Sequence, residues 1–218
     1  MSTKTTLIIS FLLIIIASAV GLLLWNQLPE QMASHWGVND QVNGYMSRFW
    51  GVFLTPIMTT GMLILFLVIP SIDPLKANVA QFRDTFNTFI TLIIAFMIYI
   101  HGLTLIWNMG FTGFRMSVAM LPAMGLLFIF MGVLISKAKR NFFIGIRTPW
   151  TLSSDHVWNE THRLGGKLYI AAGILALLGA FFPDYAIWFI MFPLIAASFV
   201  SVIYSYILFR AESSTEKQ

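Results

Sequence analysis

The sequence predicts an all-α membrane protein, a bundle of six transmembrane helices with cytoplasmic termini and a short amphipathic cytoplasmic helix before the fifth span. Three observations carry this prediction. Of 218 residues 58% are hydrophobic and only 10% charged, and the mean hydropathy of +0.80 lies far from that of a soluble domain. Six apolar stretches reach the roughly 20 residues that a helix needs to cross the hydrocarbon core. Lysine and arginine gather on one side of those stretches.

The spans run approximately Leu7 to Trp25, Trp50 to Ile69, Phe86 to Trp107, Ser117 to Ile135, Gly165 to Phe182 and Ile187 to Leu208. Runs such as LIISFLLIII are apolar at every position, which excludes the alternating pattern of a membrane β-barrel. In the first span, Lys4, the run Leu7 to Ile16 and Ala17-Ser18-Ala19 look like a cleavable secretory signal. The apolar run continues to Trp25, however, so an uncleaved first helix is expected.

Eleven of the thirteen lysines and arginines flank one side, including Lys76, Arg83, six positions from Lys137 to Lys167, and Lys217 in the C-terminal tail. Only Arg48 and Arg115 lie on the other. The positive-inside rule then puts both termini and the long polar segment in the cytoplasm, and residues 26–49 outside with the short loops near 110 and 184. The net charge of +4 marks orientation, and direct nucleic-acid binding is not expected. With no cysteine, the chain has no disulfide, thiolate metal site or cysteine nucleophile.

Two three-span parts are expected, residues 1–107 with the external loop and residues 108–218 with the cytoplasmic segment. The external loop is rich in turn formers, among them Pro29, Gly37, Asn39, Asp40, Asn43 and Gly44. Trp25, Trp36, Tyr45, Phe49 and Trp50 suit an interfacial cap folded back on the membrane. Pro56, Pro122 and Pro193 each lie about six residues from the outer end of a span, where a missing N–H kinks a helix and can splay the outer half of the bundle. Small residues follow each proline, as in close helix packing.

In the polar segment, Pro149 biases Thr148 away from helix, so Arg140 to Trp150 should be irregular and interfacial. Ser153 or Ser154 then caps a helix, with Asp155 in its first turn. Val157, Trp158, Thr161 and Leu164 share one arc, while Asp155, His156, Asn159, Glu160, His162 and Arg163 form the other. That pattern suits an amphipathic helix on the membrane surface, ended by Gly165-Gly166 in left-handed geometry, which would also serve as a hinge for the fifth span.

No metal or cofactor is expected. His156 and His162 are six apart and face different ways, and His156 with Glu160 lacks further ligands. His101 is the strongly polar titratable group within a span, and a helix-bridging hydrogen bond is its expected role. No nucleophile elbow or paired intramembrane carboxylates point to an enzyme. On the residues alone a small-molecule permease or transporter accessory subunit stays open, with the outer cleft and His101 as its path.

The run NFFIGIRTPWTLSSDHVWNETHRLGGK, from Asn141, resembles the signature of the Sdp immunity protein family, named for a membrane protein that protects bacilli against their own sporulation-delaying toxin. The external loop, with Leu28-Pro29, His35, Gly37 and Asn43-Gly44, is similar to the N-terminal module often fused to that signature. It departs from the module at Asp40 and Gln41, where a glycine and an acidic residue are common. The resemblance covers well over half the chain. It implies a multi-pass protein of the bacterial cell membrane whose partners are the lipid bilayer, a peptide toxin outside and a cytoplasmic transcriptional repressor. The candidate site residues are then Asn141, Gly145, Arg147, Thr148, Pro149, Trp150, Trp158, His162 and Gly165 in the cytoplasmic signature, where a partner would dock, and Pro29, His35, Gly37 and Gly44 in the external loop.

Overall fold

A computed structural model describes residues 1–215; Lys217 of the positive-charge count lies outside the described residues. Six helices are long and apolar enough to cross a membrane: α1 (Thr3–Leu23), α2 (Arg48–Ile72), α4 (Arg83–Asn108), α5 (Met116–Lys137), α7 (Asp155–Leu178) and α8 (Ala186–Thr215). Two short helices lie between spans, α3 (Lys76–Gln81) and α6 (Pro149–Ser153). Large apolar side chains such as Phe11, Leu23, Leu126 and Phe199 stay exposed along the spanning helices, the pattern of a surface that faces lipid.

The chain is not wholly helical. Gln31–Trp36 (β1) and Val42–Ser47 (β2) pair as an antiparallel hairpin within the loop expected as an interfacial cap. Its tip residue Asp40 adopts φ +58°, a conformation that aspartate tolerates better than most residues.

Helix α1 packs on α2 and α4, and α7 packs on α5 and α8, while α4 meets α5 between these groups. Polar contacts fix the first group: Asn87 Nδ2 donates to Thr3 Oγ1 at 3.0 Å, and Thr6 Oγ1 donates to the Asn87 carbonyl at 3.3 Å. In the second group α5 and α7 run antiparallel, with their backbones almost touching. A Cβ on Gly173 would lie 2.5 Å from the Gly125 carbonyl oxygen, and one on Gly166 only 2.8 Å from that of Gly132. Both glycine pairs repeat at seven residues, two helical turns, so the contact extends along one stripe.

That stripe corrects the expected fifth span. Gly165 and Gly166 do not end a helix; α7 runs unbroken from Asp155 to Leu178, and both glycines are buried inside it. They are small because Ile146, Ser136 and Gly132 press against them. Residues 155–164, expected as a separate surface helix, are the first turns of α7 itself, and Val157, Trp158, Thr161 and His162 are all at most 1% exposed and pack into the bundle.

The three prolines stand within continuous helices, Pro56 in α2, Pro122 in α5 and Pro193 in α8. Pro56 and Pro193 line two separate apolar hollows, of about 280 and 550 Å³. Thr59 and Thr60 hydroxyls donate to the Pro56 carbonyl at 3.1 and 2.8 Å, holding the backbone just past the proline. His101 is 3% exposed, and its Nε2 has no partner among the described residues, so the helix bridge expected there does not form through that atom.

Candidate functional site

Two constructions stand at opposite ends of the bundle. At one end, residues 138–154 join α5 to α7 beside the N-terminus, α3 and the C-terminal turns of α8. At the other, the β-hairpin meets the turns near 110 and 184.

The first construction starts from Asn141, which is fully buried. Its Oδ1 accepts from the Phe143 and Ile144 N–H groups at 2.9 and 2.6 Å, and its Nδ2 donates to the carbonyls of Lys139 and Ile144, both at 2.8 Å. A single amide side chain thereby satisfies four backbone groups in a segment without regular structure. Asp73, before α3, accepts from the Phe142 N–H at 2.9 Å, and Asn78 donates to the Arg140 carbonyl at 2.9 Å.

Gly145 comes next, with φ +115°, the conformation that glycine alone adopts without strain. A Cβ there would fall on His162 Nε2. That nitrogen accepts from the Ile146 N–H at 3.0 Å, while Nδ1 lies 2.8 Å from the Trp158 carbonyl. Since the carbonyl can only accept, Nδ1 carries the proton and the ring is held as one neutral tautomer. The imidazole stacks on Trp158 at 3.9 Å between centroids, and the indole N–H donates to the Ala138 carbonyl at 2.8 Å. Glycine, histidine and tryptophan are therefore one unit: the first gives room, the second holds the loop and the third supports the ring.

The Thr148-Pro149-Trp150 turn opens α6. Thr148 and Thr151 cap each other reciprocally, proline takes the first helical position, and Thr148 Oγ1 reaches Ser205 of α8 at 3.2 Å. Trp150 packs on Tyr206 at 5.1 Å. Ser154 caps α7 as expected, accepting from the Val157 N–H at 3.2 Å, and it donates to Glu212 at 3.0 Å. Arg140 pairs with Asp155 at 2.9 Å.

These contacts divide the nine inner candidates. Asn141, Thr148, Trp158, His162 and Gly165 are buried and hold the segment's shape. Arg147 and Pro149 remain exposed, Gly145 and Trp150 are half-buried, and Arg147 Nη1 donates to the Phe142 carbonyl at 2.7 Å. The exposed rim continues through Phe142 and along Asp155, His156, Asn159 and Arg163 of α7. His162 leaves the polar arc expected for it, because the space beside Gly145 admits the ring.

At the opposite end the hairpin is tied on both sides. Asn108, the last residue of α4, accepts from the Ala33 N–H at 2.7 Å and donates to the Ala33 carbonyl at 3.0 Å, completing the edge of β1 as a third strand would. Met32 is fully buried against Gly51, in a cluster with Leu28, Val52 and Leu105. At the tip, the Asp40 carboxylate accepts from the Ser117 N–H and hydroxyl at 2.7 and 2.6 Å, capping α5 from another part of the chain. Arg115 joins Asp40 at 3.6 Å to Asp184 at 2.8 Å.

The four outer candidates all sit in this hairpin or its entry. The Pro29 carbonyl accepts from Arg48 Nε at 3.3 Å, His35 Nδ1 pairs with Asn43 Oδ1 at 2.5 Å, and Gly44 leaves room for the His35 side chain. A Cβ on Gly37 would lie 3.1 Å from Asn43 Nδ2. Sequence reasoning missed Asp73, Asn78, Asn108, Ser117 and Ser205. Their partners are 57 to 77 residues distant, and no local pattern marks them.

Residues 137–205 match the SdpI/YfhL protein family, and residues 12–60 match a domain of unknown function, DUF1648. The chain is 25% identical over 201 residues to the immunity protein SdpI of Bacillus subtilis (strain 168), covering 91% of this chain and 93% of that protein. No solved structure matches. The resemblance read from the signature is thus confirmed, and with six spanning helices it makes the chain a bacterial multi-pass membrane protein.

Proposed function

We propose that this chain, a relative of the SdpI/YfhL family through its C-terminal part, is not an enzyme but gives immunity to a secreted peptide toxin at the bacterial cell membrane. One observation carries the reading. The likeness to an immunity protein runs over 91% of the chain, so it takes in both the hairpin and the segment beginning at Asn141.

The hairpin supports an outer, toxin-facing role. Val38 and Tyr45 are each 64% exposed on an element rigidly joined to α4 and α5, a surface suited to an amphipathic peptide. The positive-inside asymmetry puts this end outside. The opposite rim, with Phe142, Arg147, Pro149 and Arg163, is the surface offered to a cytoplasmic repressor, and α7 is an unbroken rod between the two ends. The permease reading gains no support, because His101 is enclosed.

A photoreactive derivative of the sporulation-delaying toxin tests the outer role in intact cells. Labelling should map to residues 31–47; labelling no greater than that of an unrelated multi-pass protein would overturn it. For the inner role, Arg147→Glu with Arg163→Glu should release a fluorescent repressor from the membrane without altering insertion. A repressor still held there would remove the rim from the docking surface.

A further inference from the structure

We propose that the signature end of the protein holds one anionic phospholipid, with its phosphate between Arg83 and Arg147 and one acyl chain in an apolar cavity between the two halves of the bundle. The cavity, about 240 Å³, is lined by Phe66 of α2, Phe86 and Phe89 of α4, Leu134 of α5, Phe143 and Ile146, with Tyr169 of α7. It is smaller than the roughly 300 Å³ at which pockets for whole small molecules begin, so it suits a length of hydrocarbon. Its lining is mostly apolar, and the Tyr169 hydroxyl is already paired with Ser198 at 3.0 Å.

Charge at the rim selects the headgroup. The Arg83 guanidinium lies 5.9 Å from the Phe86 ring centroid, over a wall of the cavity, and has no carboxylate partner among the described residues. Arg147 follows the lining residue Ile146, and its described hydrogen bond, to the Phe142 carbonyl, leaves other guanidinium N–H groups for an anion. Neither arginine is ion-paired with a nearby acid among the described residues. Asp73 is 2% exposed with its oxygens on the Leu75 and Phe142 N–H groups, and Asp84 is paired with the N-terminal ammonium at 4.0 Å. Cations beside a gap between membrane helices recognise anionic headgroups. Phe66, Phe86 and Leu134 lie within spanning helices, which favours a lipid over a soluble protein segment as occupant.

Native mass spectrometry of the full chain in neutral detergent tests this with phosphatidylglycerol, phosphatidylcholine and glycerol 3-phosphate. One phosphatidylglycerol should be retained in preference to phosphatidylcholine, and glycerol 3-phosphate should neither bind nor displace it. Arg83→Gln with Arg147→Gln should reduce retention on the order of tenfold, the scale of charge-assisted hydrogen bonds. Met131→Trp, which fills the cavity, should reduce it with both arginines intact. If the tryptophan variant fails to fold, the arginine pair, half-buried Arg83 and exposed Arg147, carries the test. Equal retention of both lipids, undiminished retention by the arginine variant, displacement by glycerol 3-phosphate, or a peptide retained in the lipid's place would overturn the proposal.

Discussion

Replacing Gly145 by alanine should destabilise the protein by about 2–4 kcal/mol. The magnitude has two parts. The φ of +115° lies where an L side chain is strained, which costs on the order of 1–3 kcal/mol. The new Cβ also falls on His162 Nε2, so the imidazole must move and the 3.0 Å bond from the Ile146 N–H is lost, at about 0.5–1.5 kcal/mol. For a chain of this length that corresponds to a melting midpoint lower by roughly 5–15 °C. Thermal unfolding in detergent, followed by near-ultraviolet circular dichroism, reads both the midpoint and the Trp158 environment. Gly61→Ala is the control, because nothing lies within 4 Å of its Cβ position. It should be neutral or slightly stabilising, since alanine is the better helix former. A Gly145→Ala midpoint equal to the wild type's, with the Trp158 signal unchanged, would refute the account of glycine, histidine and tryptophan as one unit.

Gly132→Leu should separate α5 from α7, because the Gly166 backbone leaves no room for the side chain. Faster proteolysis and a lower melting midpoint are expected, whereas Gly102→Leu, in open space, should change neither; equal behaviour of the two would deny the glycine contact. Asp40→Ala removes a cap worth about 0.5–2 kcal/mol, so amide exchange at Ser117 should accelerate up to roughly thirtyfold. Unaltered exchange would show that the carboxylate does not hold α5. The cysteine-free chain permits single-cysteine mapping: a membrane-impermeant maleimide should label Asn43→Cys in intact cells, and Asn159→Cys only after lysis. The reverse pattern would invert the orientation.

The six spans were legible because apolar length is a local property; each expected stretch lies largely within a spanning helix. Ser154 was equally legible as a cap, since capping depends on the next three residues. The hairpin was not. Gln31 to Trp36 and Val42 to Ser47 alternate weakly, and β1 is completed by Asn108, 75 residues from Ala33. Gly165 and Gly166 misled because a glycine pair after an amphipathic run suits both a helix end and a helix contact. The seven-residue spacings of Gly125 with Gly132 and Gly166 with Gly173 were a signal for the contact. Among the site residues, type and spacing identified the segment itself. Burial decides which of them hold the loop and which face a partner, and it follows from the room Gly145 leaves for His162, which no helical periodicity contains.

Immunity itself is measured most directly by survival. A toxin-sensitive bacterium expressing the chain, with membrane insertion confirmed, is challenged with graded doses of the sporulation-delaying toxin beside a strain carrying empty vector. The account predicts survival at doses that kill the vector strain, and partial loss of that protection with Asp40→Ala at unchanged protein level. Identical killing curves for the inserted wild-type chain and the empty vector would contradict it.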